Sequence, residues 1–202
     1  MHFQFDLPLD RPLFKRGNRH SFANDRGGLS QQLVNPHIGL NLSGTDVSLV
    51  HGNYAYHHYM QDNFDDDGWG CAYRSLQTII SWFRYSIVWL LILLALTPCN
   101  CRLQGYTDRQ VPTHREVQQC LVDIGDKPAS FVGSKQWIGS MEVSFCLQSL
   151  LAVESMIVNV SSGAEMTSKA RQIAEHFRIH GTPIMIGTMI DSIWVDITIF
   201  HQ

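Results

Sequence analysis

The sequence predicts an α+β fold, and two kinds of pattern carry the prediction. Apolar residues recur at helical spacing in several segments, and two short apolar runs, Ser155–Val160 and Pro183–Gly187, are typical of buried strands. The helical patterns come first and the strands follow with a helix between them, which is the order expected of an α+β domain. With 202 residues, the chain is long enough for one sizeable hydrophobic core.

The first third of the chain is assigned by composition more than by periodicity. Residues 1–50 are rich in Asn, Gly, Pro, His and Arg, which predicts a lead-in segment that is mostly irregular. Gly52–Met60 alternates loosely and is aromatic, so it is predicted to be a strand. Asp65–Gly70 is predicted to be a loop, because three adjacent carboxylates cannot be buried together and its glycines let the backbone bend sharply.

Four helices are predicted from the spacing of apolar residues. The first begins at Cys71 and runs to about Arg84, and the second follows a capping box that opens at Thr113. The third covers roughly residues 141–152, and the fourth covers Met166–Ile179. Cys71 is therefore expected at the N-terminus of a helix, directly after a glycine-containing bend.

An uninterrupted apolar run, Ile87–Leu96, follows the first helix. It is much shorter than the roughly 20 residues that a helix needs to cross a bilayer, and Arg84 and Pro98 bound it. We interpret it as a buried helix, an interfacial segment or foreign sequence. No membrane span is expected.

Charge and cysteine content restrict the possible functions further. The chain has 15 Lys and Arg against 18 Asp and Glu, a formal charge of −3, so it lacks the basic surface typical of nucleic-acid binders. The odd number of cysteines and the absence of an apolar leader predict free thiols in a reducing compartment. Cys99 and Cys101 have no second pair at metal-ligand spacing, so neither a metal nor a cofactor is expected.

One cysteine has a sequence context that suits nucleophilic chemistry. A helix N-terminus stabilises a thiolate, so Cys71 could be a nucleophile, although a small buried hydrophobic residue is an equally ordinary role for cysteine. Tyr59, twelve residues upstream on the predicted strand, could place its hydroxyl nearby or could be purely structural. No histidine is an obvious base: His114 and His176 are expected to be surface or cap residues, and His201 lies where the chain should fray.

The run DDGWGCAYRS, residues 66–75, resembles the nucleophile signature of the ubiquitin-fold-modifier-specific cysteine proteases. Three ordered blocks support the resemblance: PTHREVQQ (112–119), LVDIGDKPASFVGSKQWIGS (121–140) and GTPIMIG (181–187). Upstream, LPLDRPLFKR (7–16), NPH (35–37) and YHHYMQD (56–62) are similar to the segment that precedes the catalytic domain in the longer, second member of that family.

The resemblance implies a papain-like fold and hydrolysis of the bond after the C-terminal glycine of the modifier. This chemistry matures the modifier precursor and releases the modifier from conjugated proteins. Carried over by position, Cys71 is the nucleophile, Tyr59 is the oxyanion-hole donor, and Trp137 lies beside the cleft that admits the modifier's tail. The implied partners are the modifier, its conjugates and an endoplasmic-reticulum adaptor protein, with a cytoplasmic location associated with the endoplasmic reticulum.

The sequence departs from the family pattern in two places. Residues 85–102 are an insertion within the papain-like catalytic domain, which we assign to residues 51–187, and residues 188–202 form a divergent tail. The Asp-Pro-His motif, which supplies the orienting acid and the base in the family, does not occur in these 202 residues. We therefore expect an incomplete C-terminal sheet and little or no protease activity from this polypeptide.

Two other interpretations remain open from the sequence. The chain could be a non-catalytic module that binds the modifier, or it could belong to the autophagy-related papain-like cysteine proteases, which share the Gly-Trp-Gly-Cys signature. Ala72–Ser75 and the block Gly133–Ser140 favour the modifier-specific family over the autophagy-related one.

Overall fold

The computed structural model describes residues 32–38, 47–94, 110–160, 163–188 and 195–201. The block 7–16 and the pair Cys99 and Cys101 lie outside these ranges. Within them, no helix combines the length and the apolar character that crossing a membrane requires.

Four α-helices account for somewhat less than half of the described residues. They are α1 (Cys71–Leu94), α2 (His114–Asp123), α3 (Ser140–Leu151) and α4 (Gly163–Ile179). The capping box of α2 forms as its sequence predicts: the Thr113 hydroxyl accepts from the Glu116 amide, and the Glu116 carboxylate accepts from the Thr113 amide. Helix α1 is longer than predicted, because residues 85–94 of the insertion continue the same helix.

Within the described residues, five strands form two separate antiparallel sheets. Strand β1 (Leu33–Val34) pairs with β2 (Ala55–Tyr56) in a small ribbon. Strands β3 (Glu154–Val160), β4 (Ile184–Thr188) and β5 (Val195–His201) form the larger sheet in the order β3-β5-β4. The prediction that the chain frays around His201 is wrong for the backbone. Strand β5 pairs with both β3 and β4, and His201 lies opposite Glu154.

The hydrophobic core lies where the first three helices meet. Each helix contributes fully buried residues at the positions that the helical spacing predicts: Leu76 and Ile80 from α1, Val117 and Leu121 from α2, Val143 and Leu147 from α3. A smaller cluster joins α4 to the sheet, where Ile173 and Ile184 pack against Val160. The chain is thus an α+β structure in which a helical layer and a partial sheet flank a groove.

The long strand predicted over Gly52–Met60 is wrong in extent. Only Ala55 and Tyr56 have strand geometry, and the chain then turns, with Met60 and Asp62 at positive φ of 61° and 60°. A side chain holds the strand onto α1: the Ser81 hydroxyl accepts from the Ala55 amide and donates to the Ala55 carbonyl. Tyr59 therefore lies in the turn after β2 and not on the strand.

Candidate active site

Cys71 is the first residue of α1 and carries an exposed, free thiol. The bend before it is closed by the Asp66 carbonyl, which accepts hydrogen bonds from the amides of Trp69 and Gly70 at 3.2 and 2.9 Å. The Arg74 amide then donates to the Gly70 carbonyl and begins the helical ladder. The sulfur is thus presented at a helix N-terminus, beside the first amide groups of α1, which have no partner within the helix.

The thiol opens onto a groove of about 660 Å³ between the helical layer and the sheet. One wall is the face of α1 that carries Cys71, Ser75 and Thr78, and the segment from Tyr54 to Tyr59 lines the groove beside it. Pro183–Ile186, leading into and along β4, also lines the groove. In this arrangement a peptide lying in the groove would contact the helix that carries the thiol and residues of the sheet.

Tyr59 lies close to Cys71, although it lies in the turn after β2 and not on the predicted strand. Burial and hydrogen bonding with the Cys71 side chain raise the pKa of Tyr59 to about 12, so its hydroxyl keeps its proton at neutral pH. A protonated phenol can donate a hydrogen bond to an anion that forms beside the sulfur. Chemically, a thiol at a helix N-terminus and a hydroxyl donor can make part of an acyl-transfer site.

One carboxylate of the bend is buried and the other two are exposed, which agrees with the expectation that the three are not buried together. Asp66 is fully buried and receives three hydrogen bonds, from the Met60 amide at 2.7 Å, from Arg74 Nε at 2.6 Å and from His114 Nε2 at 3.1 Å. Asp65 and Asp67 remain exposed. A single carboxylate can be buried here because a buried guanidinium compensates its charge.

Arg74 is the second centre of the same buried network. Its guanidinium donates to Asp66, to the Gln61 carbonyl at 3.2 Å and to the Gln77 side chain at 3.2 Å. Gln77 in turn donates to the Pro112 carbonyl at 2.8 Å. The network joins the turn after β2, the bend before Cys71 and the approach to α2.

His114 is predicted to be a surface or cap residue; it is the first residue of α2, directly after the N-cap, but a surface position is wrong. Its ring is buried, stacks on Tyr73 with centroids 5.0 Å apart, and also contacts Phe64 and Trp69. Burial, with the nearby Arg74 charge, lowers the pKa of His114 to about 4, so the ring is neutral at pH 7. His176 is buried as well, with Nε2 at 2.9 Å from the Thr182 hydroxyl.

These pKa values predict that acid weakens the fold. Burial is also the main cause that lowers the pKa of His57 to about 4. Between about pH 6.5 and 4, the unfolded chain binds protons that the folded chain does not, so the unfolding free energy should fall as the pH falls. His114→Gln keeps a donor for Asp66 but removes the titration, and it should remove on the order of 1–3 kcal/mol of this pH dependence.

The measurement is denaturant unfolding of both proteins at pH 4.5 and 7. Arg115→Gln, at an exposed position one residue further along α2, introduces the same side chain and serves as the control. A pH dependence that is equally steep in His114→Gln and in the parent would contradict this account of His114.

Trp137 is highly exposed and lies in a loop tied to the start of α1. Tyr73, two residues after Cys71, donates from its hydroxyl to the Gln136 carbonyl at 3.0 Å. Gln118 holds the same loop, donating to the Ser134 carbonyl at 2.8 Å and accepting from the Gly133 amide. Trp137 does not line the groove itself.

The groove contains three histidines that the sequence reasoning did not single out: His37, His57 and His58. His37 Nδ1 lies 2.9 Å from the Tyr54 hydroxyl, and His58 Nδ1 lies 2.8 Å from the Tyr59 carbonyl. Two of them stand in the block YHHYMQD, whose aromatic pattern was the available signal. Among the described residues, no group of histidine, cysteine and carboxylate side chains is arranged to hold a metal ion.

Comparison with known proteins gives consistent matches. The chain is 48% identical to Ufm1-specific protease 2 of Gallus gallus over 98% of its length and 51% identical to that of Mus musculus over 93%. It spans 41% and 37% of those two relatives, about two fifths of their length.

The fold comparison agrees with the sequence comparison. The crystal structure of UfSP from C. elegans matches with a TM-score of 0.58 and 39% identity, covering 92% of this chain and 31% of that one. The expected papain-like α+β fold is thereby confirmed. The family model of Peptidase family C78 matches residues 45–199, a range that includes the cysteine bend, the groove and most of β5. On this evidence the chain belongs to Peptidase family C78.

Proposed function

We propose that the chain is the thiol-bearing part of a protease that acts on a ubiquitin-fold modifier, maturing its precursor and releasing it from conjugated proteins. The observation that carries the proposal is that Cys71 and Tyr59 both line the groove and interact with each other. The relatives are named Ufm1-specific proteases, which supports Ufm1 as the modifier.

The proposed chemistry assigns one role to each group at the thiol. The Cys71 thiolate attacks the carbonyl carbon of the C-terminal glycine of the modifier, and the carbonyl oxygen becomes an oxyanion. The Tyr59 hydroxyl donates to that oxyanion. The amine or peptide leaves, and water then hydrolyses the thioester to free the modifier and regenerate the thiol.

Trp137 is proposed to contact the modifier outside the groove. Its indole is 63% exposed, and its loop is anchored to α1 through Tyr73, close to the thiol. A large exposed aromatic ring on an anchored loop is a typical anchor in a protein–protein interface. The modifier would then be held by this ring while its narrow tail enters the groove.

The proposal includes a deficiency in this polypeptide. Acyl transfer needs a base for the thiol and a group that orients the base, which the Asp-Pro-His motif supplies in the family. The motif is absent from the 202 residues, so binding and slow thiol chemistry are proposed to persist while turnover is weak.

We also propose a cytoplasmic location associated with the endoplasmic reticulum, through an adaptor protein. Fractionation of cells that express the tagged chain would test this location.

Labelling with an electrophilic probe tests the proposed specificity. Ufm1 carrying a C-terminal electrophile should modify Cys71 at least about tenfold faster than a ubiquitin probe of the same chemistry, because only the correct tail should occupy the groove. Cys71→Ala should abolish the labelling. Cys120 and Cys146 are buried and serve as internal controls when the modified peptides are identified by mass spectrometry.

Two outcomes would contradict the proposal in different ways. Equal labelling by the Ufm1 and ubiquitin probes would indicate a reactive thiol without modifier specificity. Binding of Ufm1 without any labelling of Cys71 would identify a non-catalytic modifier-binding module, the alternative that the sequence left open.

A further inference from the structure

We propose that the buried pair Asp66 and Arg74 is a positioning device that sets the Tyr59 hydroxyl against Cys71. This inference rests on the proposed function, because it concerns the geometry of the same two groups. Neither Asp66 nor Arg74 lies at the reacting atoms in the proposed mechanism, so both are assigned as positioning residues and not as catalytic ones.

The first argument is the set of chain segments that Asp66 joins. Its Oδ1 accepts from the amide of Met60, the residue directly after Tyr59. Its Oδ2 accepts from Arg74, which lies one helical turn after Cys71 in α1. One carboxylate therefore links the backbone that carries the donor to the helix that carries the thiol.

The second argument is the backbone conformation of the turn that carries Tyr59. Met60 and Asp62 both have positive φ, a conformation that is strained for a residue with a Cβ. Such a turn persists only where its surroundings hold it. The bonds from the Met60 amide to Asp66 and from Arg74 to the Gln61 carbonyl supply that restraint on both sides of Met60.

The third argument is how closely Asp66 packs against the residue before the thiol. A Cβ placed on Gly70 would lie 2.5 Å from Asp66 Oδ2 and 2.6 Å from Asp66 Cβ. The carboxylate thus rests on the backbone immediately before Cys71. Its full burial and its three donors leave the side chain no room to relax.

A double-mutant cycle on Cys71 alkylation tests the inference. Iodoacetamide modification is followed at pH 7 in the full chain and resolved for the Cys71 peptide by mass spectrometry. In the parent, Tyr59→Phe should slow alkylation between about threefold and tenfold, because the hydroxyl that can donate to the thiolate is lost. In the Asp66→Asn background the same substitution should change the rate less than about twofold.

Asp65→Asn is the matched control. This neighbouring side chain is 64% exposed and pairs with Lys135 at 3.3 Å on the surface. Tyr59→Phe should keep its full effect in that background. Unfolding would mimic the expected result, because Tyr59 cannot affect Cys71 in an unfolded chain. The comparison therefore uses only variants that circular dichroism and denaturant unfolding show to be folded at pH 7.

Arg74→Lys carries the test if Asp66→Asn fails to fold. Lysine keeps a positive charge beside Asp66 but cannot also reach the Gln61 carbonyl and the Gln77 side chain. The Tyr59→Phe effect should again shrink. An undiminished effect in a folded Asp66→Asn or Arg74→Lys protein, or no effect of Tyr59→Phe in the parent, would overturn the inference.

The result separates this inference from the proposed function. Suppose that Tyr59→Phe has no effect in the Asp66→Asn background and that the Ufm1 probe does not label Cys71 in the parent. The positioning role of Asp66 would then stand, and the proposed function would be rejected. Specific probe labelling combined with an unchanged effect in Asp66→Asn would retain the function and reject the positioning.

Discussion

The 202-residue polypeptide is expected to cleave a fluorogenic Ufm1 substrate at least about 10⁴-fold more slowly than a family member that carries Asp-Pro-His. Loss of a triad member lowers the catalytic rate by a factor of this order, because the thiol loses the group that takes its proton. The groove presents Cys71 and Tyr59 but has no Asp-Pro-His among its lining residues. The measurement is kcat/KM at matched enzyme concentration.

The Cys71→Ala variant of the same polypeptide defines the background rate. Residual turnover that disappears in this variant would show weak catalysis by the thiol without the usual base. Turnover within about tenfold of the complete family member would refute the prediction. In that case the histidines of the groove, His37, His57 and His58, would be the first candidates for the base.

Gly70→Ala is expected to destabilise the fold by about 3 kcal/mol. The new methyl group would lie 2.5 Å from Asp66 Oδ2, and the carboxylate could yield only by breaking its bonds to Arg74, His114 or Met60. Denaturant unfolding measures the change as a lower midpoint with an unchanged slope. Because Gly70 does not have a positive φ, backbone strain is not the expected cause.

Gly187→Ala is the matched control for this substitution. Gly187 also lacks a positive φ, and a Cβ there meets no atom within 4 Å. Its unfolding free energy should stay within about 0.5 kcal/mol of the parent. Equal destabilisation by both substitutions would mean that the packing of Asp66 over Gly70 is not the cause.

The sequence predicts the helices well, because they depend on local patterns. The capping box at Thr113 and the start of α1 at Cys71 follow from residue types at fixed spacing, and both are present in the structure. The position of Tyr59 twelve residues before Cys71 left a role at the thiol and a purely structural role both open, and only the family signature favoured the first. The short turn that brings them together has no hydrophobic periodicity from which it could be predicted.

The buried ionic network could not be predicted from local rules. Asp66 lies in a run of acidic residues that reads as solvated, and its partners Arg74 and His114 are 8 and 48 residues away. Burial of such a group depends on tertiary contacts that composition does not report. The same holds for β5, which lies in the segment predicted to be a divergent tail but pairs with a strand on each side.

The strand order β3-β5-β4 has a consequence for how the chain assembles during synthesis. The central strand comes last in the sequence, so β3 and β4 have no partner in this sheet until β5 leaves the ribosome. The three-helix core can form before β5 is synthesised, because its contacts lie within residues that precede β5 in the sequence. The β4 residues that line the groove therefore gain their sheet partner only after the helix that carries the thiol has been synthesised.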